Sequence, residues 1–296
     1  MEFKLMKITG LDDAIMSLKM SKRNWTYDAH IKTIDRVSRF TNQYGRVYIV
    51  SEYMRTQRGD ALKYADMDEL EFLESEYCDF LDDLDKLAKW GAGVENGEAY
   101  VGDGHETILR FIDLTFVTEG LHRGAQDDLD AHAARFNTRI VRSSTRLAKF
   151  EDLERSDWYR GKIRSTSEIM TRLKYDVPEE YTDEYGIDWV RTSNGYVRAD
   201  LVQDKDVLRG NYPLSIPSNA IWKINLHDLR HVYMRRNIKT TASPELQEGI
   251  EQLADQVEEW LPCDLGKIVR YDWAKLPDGT YGFAHIHDIQ KVANPR

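Results

Sequence analysis

Two short runs of alternating apolar and polar residues constrain this chain most. In IDLTFVT, residues 112–118, Ile112, Leu114 and Phe116 alternate with Asp113 and Thr115. In AIWKIN, residues 220–225, Ala220, Trp222 and Ile224 do the same. A period of two places the apolar side chains of each run on one face, so each predicts a half-buried strand. GRVYIVS, residues 45–51, is a third strand candidate. Between these runs the period changes. Residues 66–85 hold ten acids among twenty, with Leu70, Leu73, Tyr77, Leu81, Leu84 and Ala88 at three- and four-residue steps. That predicts an amphipathic helix with a solvated acidic face. Residues 123–147 read as mostly helical, with Ala125, Leu129, Ala133, Phe136 and Ile140 as the stripe. The clearest helix is 243–261. Ser243 suits the N-cap, Pro244 the first helical position, and Glu245 the positive end of the dipole. Pro277-Asp278-Gly279 marks a turn between short β-like runs at 268–273 and 281–286.

Strands mixed with helices predict an α+β chain. We read residues 1–296 as a single α+β domain. The polar, turn-rich stretch at about 150–205 is expected to be an insertion or extended loop without a second core, and a C-terminal extension is expected from about 263. Composition narrows the function. Forty-one basic against 51 acidic residues give a net charge of −10. That argues against a protein that coats nucleic acid, though not against a local basic pocket. Two cysteines, Cys78 and Cys263, cannot build a disulfide framework or a cysteine-rich zinc site. No apolar run is long enough to span a bilayer, and the first residues lack a signal-peptide core. The expected setting is a reducing cytoplasm.

Four sets of residues could carry chemistry. Gly104-His105-Glu106-Thr107 stands directly before the first strand and offers a close backbone approach with imidazole and hydroxyl groups; it is equally an ordinary turn. Arg135, Arg139, Arg142 and Arg146 are spaced four, three and four apart and would share one face if the helix runs that far. Such a face is either solvated and salt-bridged or built for phosphate, whose oxygens match guanidinium forks. Ser143, Ser144 and Thr145 lie at its end. Arg209 precedes a Gly/Pro turn in LRGNYP, and NLHDLRHVYMRR carries Asn225, His231, Arg235 and Arg236. Asn225 could cap the helix that follows.

The order and spacing of these sets resemble the flavin-dependent thymidylate synthases. That family has a Gly-His-x-Ser/Thr segment before a strand, here GHETILRFIDLTF, and a Gly-x-Ser-Arg segment entering a helix, here GLHR with Arg123 at the arginine. Its hallmark is Arg-His-Arg followed by a serine two before an arginine. Here His132, Ser144 and Arg146 match, but Ala131 and Ala133 replace both arginines, and the serine comes about three residues late. Arg209 matches the arginine of a downstream segment, Asn225 an asparagine ending a strand, and Arg236 an arginine of the pyrimidine site. The resemblance covers roughly residues 5–25, 100–150 and 205–260.

It implies a mixed sheet with packed helices and a homotetramer with FAD bound between subunits. It also implies reductive methylation of dUMP to dTMP with methylenetetrahydrofolate and NADPH. Arg209 and Arg236 are the implied groups on the base and Ser144 and Arg146 those on the nucleotide. His105, Thr107, His132, Asn225 and His231 are implied on the flavin side. Losing a charged contact to a phosphate costs about 1.5–3 kcal/mol, so two alanines need compensation; Arg135 and Arg139 are the candidates. Two alternatives share the scaffold: a 5-hydroxymethylase of pyrimidine nucleotides, and a catalytically impaired homologue. Leu261-Pro262-Cys263 resembles the Pro-Cys nucleophile of cysteine-dependent thymidylate synthases, but Asp264 follows it, so Cys263 is read as structural.

Overall fold

The computed structural model describes residues 1–22, 25–49, 52, 67–95, 98–99, 105–132, 139–142, 161–173, 178–192, 195–203, 217–236, 243–275 and 281–285. In chain order, β1 (Glu2–Thr9), α1 (Leu11–Ser21) and α2 (Tyr27–Phe40) precede the long α3 (Met67–Leu87). A π-helical turn (Ala88–Ala92), the short strands β2 (Val94–Glu95) and β3 (Glu98–Ala99) and a 3-10 turn (Glu106–Phe111) follow. Then come β4 (Asp113–His122), α4 (Arg123–His132), β5 (Arg139–Arg142), β6 (Ile163–Arg164), α5 (Thr166–Leu173), β7 (Glu180–Thr182), β8 (Asp188–Thr192) and β9 (Gly195–Arg198). The chain continues through β10 (Pro217–Asn225), α6 (Leu226–Arg236), α7 (Pro244–Trp260), the single turn α8 (Asp264–Lys267), β11 (Tyr271–Lys275) and β12 (Tyr281–His285). The architecture is mixed α+β, with one sheet in the order β1-β4-β10-β5 and another in the order β6-β9-β8-β7.

The chain divides into two compact units. One comprises Met1–Lys4, Val117–Trp222 and Arg235–Gln252, the other Leu5–Phe116, Lys223–Met234 and Leu253–Arg296. In the second unit, Gly10 turns the chain from β1 into α1 at φ 83, where an added Cβ would strike the carbonyl of Phe111. The acidic helix forms as its pattern requires. Tyr77, Phe80, Leu84 and Leu87 are buried, and the Phe40 ring stacks on Phe80 at 5.7 Å and meets Tyr77 edge-on at 5.2 Å. The acidic face is not wholly solvated: Asp83 is buried and pairs with Arg36 at 3.3 Å and Lys19 at 3.4 Å.

The first unit shows the alternation at work. Thr118, Ala220 and Trp222 are buried at alternating positions, Leu121 is buried out of phase beyond Gly120, and Trp222 donates its indole N–H to Thr118 Oγ1 at 3.1 Å. The segment 161–203, expected as loop, instead contains the antiparallel sheet β6-β9-β8-β7 with α5. Ile169, Trp189 and Tyr196 are fully buried in its own small core. Its strands are too short for periodicity to reveal. The polar residues serve the turn: Asp183 accepts hydrogen bonds from the backbone of Tyr185 and Ile187 and from the Trp189 indole, all at 3.0 Å.

Two further expectations are corrected. Of the strand expected at 45–51, residues 45–49 form a loop tied by a bridge, Thr41 to Val47, because Gly45 turns at φ 81 and Asn42 gathers the amides of Tyr44 and Arg46, and residues 50 and 51 lie outside the described residues. Residues 123–147 are not one helix. The helix is described through His132, and Arg139–Arg142 are a strand at the edge of the main sheet. Ile140 and Val141 are β-branched and suit a pleated surface better than a helix. The other predicted elements, 113–122, 217–225, 244–260 and the C-terminal hairpin, form within a few residues of expectation. Ser243 precedes α7 as expected, but its hydroxyl finds no partner among the described residues; its carbonyl instead accepts the Gln247 amide at 2.9 Å.

Candidate functional site

The corner where β10 ends and α6 begins is built by local rules. Asn225, 2% exposed, accepts the backbone N–H of Asp228 on Oδ1 at 2.8 Å and donates from Nδ2 to Asp228 Oδ2 at 2.8 Å. That reciprocal pair caps the helix, the role its sequence position suggested. The Leu226 amide bonds the carbonyl of Ile112 at 2.8 Å, which joins this helix start to the end of the 3-10 turn. Arg230 closes the far side by donating to the carbonyls of Ile268 and Tyr271, at 2.8 and 2.7 Å.

This scaffold sets His227 between two carboxylates. Its Nδ1 lies 3.1 Å from Asp228 Oδ1 and its Nε2 3.4 Å from Glu106 Oε2. Hydrogen bonds to Asp228 and to Glu106 raise its pKa to about 9 despite half-burial. The ring therefore carries a proton at neutral pH and donates from both nitrogens. Glu106 is pulled below the usual carboxylate range, chiefly by His227 and then by the nearby Arg230 and Arg110. Burial alone would push Asp228 up, but His227 and Asn225 outweigh it and the net shift is downward. Glu106 sits between the predicted residues His105 and Thr107, both exposed. His231, also exposed, lies one turn beyond His227 on the same side of α6. Four sequence-predicted residues, His105, Thr107, Asn225 and His231, thus gather around a His-Asp-Glu network that the sequence did not single out. The signal that could have found it is a His-Asp pair directly after a capping asparagine.

A second polar centre lies in the first unit. Gly120 bends β4 at φ 68, and His122 ends the strand. His122 Nε2 accepts the Ala125 amide at 3.1 Å, capping α4, so the ring proton sits on Nδ1 and is donated to Glu245 Oε2. His122 is 2% exposed and Glu245 fully buried. Glu245 lies in the first turn of α7, as its place after Pro244 suggested, and is turned inward. Gln126 completes the centre by donating to the carbonyls of Leu121 and Ser218, at 3.1 and 2.7 Å. Such a sealed arrangement fixes structure rather than meeting a ligand.

The remaining predicted residues are not so placed. Arg209, Ser144, Arg146 and Arg135 lie outside the described residues. For His132, Arg139 and Arg236 only the backbone is described: His132 and Arg236 are the last residues of α4 and α6, and Arg139 the first of β5. The Gly-His-Glu-Thr segment was expected to enter the strand directly; a 3-10 turn intervenes. Cys263 is no nucleophile in this setting. Burial, then the charges of Asp85 and Asp264, push its thiol up to about 12, so essentially no thiolate is present at neutral pH.

The family model described as thymidylate synthase complementing protein matches residues 50–263. The chain belongs to this family. Among solved structures, it is similar to the flavin-dependent thymidylate synthase ThyX from Helicobacter pylori complexed with FAD and dUMP. Identity is 14% and the TM-score 0.40, with 88% of this chain and 97% of that one covered. A second ThyX structure from the same organism, with FAD and dUMP, gives 14% identity and a TM-score of 0.41 over 91% and 97%. No curated protein matches the chain. Among the described residues no helix is long and apolar enough to cross a membrane. Within the family match, His122 stands where the Gly-x-Ser-Arg segment has serine, which makes the buried His122–Glu245 pair a departure from that motif.

Proposed function

We propose that the chain is a divergent flavin-dependent thymidylate synthase. It reductively methylates dUMP to dTMP, with methylenetetrahydrofolate as one-carbon donor and NADPH as reductant, as a cytoplasmic homotetramer. The observation that carries this reading is the extent of the family match, residues 50–263, which contains every segment from Gly104 to Arg236 on which the resemblance rests.

The corner at α6 suits a polar cofactor: exposed imidazole and hydroxyl groups at His105, Thr107 and His231 surround a charged His227. Bound FAD would supply the electrons that convert the transferred one-carbon unit to a methyl group. The chain's own residues bind and orient. His105, Thr107, His132 and His231 are assigned to the cofactor side. Asn225 acts as a positioning residue, since both ends of its amide are spent on Asp228. Arg209 and Arg236 hold the base and stabilise negative charge on it. Ser144 and Arg146 hold the nucleotide. Arg135 and Arg139 stand in for the missing hallmark arginines as separate side chains, not as a helical face.

One observation favours a second reading. Ala131 and Ala133 flank His132 and offer no donor, which suits a homologue that keeps the fold with impaired catalysis. The absorbance of the purified protein, before and after addition of FAD, separates the two. A flavin band that changes on adding dUMP supports the enzyme. Colourless protein that rejects FAD overturns it in favour of the impaired homologue.

A further inference from the structure

A cavity of about 350 Å³ in the second unit is walled by α1, α2, α3 and the π-helical turn. None of the residues assigned to the thymidylate synthase reading lines it. Ile15 and Leu18 give it an apolar lining. Lys19, Lys22 and Lys86 face Asp83, three ammonium groups against one carboxylate. That carboxylate is already shared: Lys19 approaches it at 3.4 Å, Arg36 at 3.3 Å and Lys86 at 4.0 Å. Lys22 extends its ammonium over the indole of Trp90, 3.6 Å from the ring centroid. In a chain of net charge −10, a cavity with a surplus of positive charge is a local exception. Trp90 itself sits in the π-helical turn, a rare distortion frequently found at functional sites.

We propose that this cavity binds a small aromatic dianion. The surplus of two positive charges matches two negative ones. Lysines act as point charges for phosphate or carboxylate, and the apolar lining with the indole accommodates a ring. The volume falls in the range of small-molecule sites. Lys22 and Lys86 are the side chains able to turn to the anion. Lys22 is exposed and lies over the Trp90 ring face, and Lys86 is the most distant of the described cations around Asp83. Two chemistries share this recognition, an aryl phosphate ester and an aromatic dicarboxylate.

Isothermal titration of the full chain with phenyl phosphate, phthalate and benzoate tests the proposal, whether or not the protein carries a flavin. Saturable binding of at least one dianion is expected, with benzoate at least about tenfold weaker. The tighter dianion identifies the phosphate or the dicarboxylate class. Lys22→Gln and Lys86→Gln should each weaken binding about tenfold. Lys32→Gln, on the exposed part of α2 and away from the cavity wall, should leave it unchanged. Absence of saturable binding, benzoate binding as tight as the dianions, or undiminished affinity in the Lys22→Gln/Lys86→Gln double variant would overturn the proposal.

Discussion

The two units each bury a histidine beside a carboxylate, and the pairs differ in what surrounds them. His227 lies between Glu106 and Asp228 at a half-open corner, next to exposed His105, Thr107 and His231. His122 faces Glu245 in a closed setting, with a backbone amide on its other nitrogen. The first arrangement can present charge to a ligand. The second holds a strand end, a helix start and the first turn of α7 in register. Residue type alone does not separate site from scaffold; solvent access does.

Truncation should expose that difference in order of burial. Glu245→Ala leaves the His122 N–H without its acceptor in a closed space, and unfolding by denaturant should show a loss of about 3 kcal/mol or more. A loss below about 1 kcal/mol would mean water reaches this pair, and the contrast would fail. Asn225→Ala removes the cap of α6 and one partner of Asp228. It should cost about 1–2 kcal/mol in the same assay, and the conservative Asn225→Asp should recover part of it.

His227→Gln should cost about 1 kcal/mol near neutral pH, with the difference from wild type vanishing above about pH 10. The sign follows from the raised pKa. Stability from the protonated ring is fully present below its ordinary value of 6.5 and is lost as pH rises through about 9. Glu106 and Asp228, shifted downward, give a contribution present above the ordinary carboxylate range and lost as pH falls through their folded values. A wild-type stability curve flat from neutral to alkaline pH would contradict the charged corner. Cys263→Ser should change least, with stability within about 0.5 kcal/mol and activity unaltered. A large loss of turnover would reinstate the thiol as a nucleophile.

Much of the fold was legible because burial leaves a period. Leu114, Phe116, Trp222 and Ile224 announced their strands, and Leu246, Ile250 and Val257 announced α7. The errors arose where the period is too short to read. Strands of two to five residues at 163–198 carry no usable alternation, so the core of Trp189 and Tyr196 was missed. Arginines spaced by helical steps across 135–146 misled, because around the β-branched pair Ile140-Val141 the chain is a strand, Arg139–Arg142. Asn225 was readable as a cap from its place between strand and helix. Glu106 and Glu245 were not, because their partners are distant in sequence and a pair such as His122–Glu245, 123 residues apart, leaves no local trace; His227 offers only the adjacent Asp228 as a local sign.

The proposed transfer of a one-carbon unit to a pyrimidine nucleotide uses no cysteine nucleophile. Tritium release from 5-tritiated dUMP, with methylenetetrahydrofolate, NADPH and FAD present, is the decisive assay. Release should require FAD, persist undiminished in Cys263→Ser and fall sharply in Arg236→Ala. No release from wild-type protein that has bound FAD, or release abolished by Cys263→Ser, would contradict it.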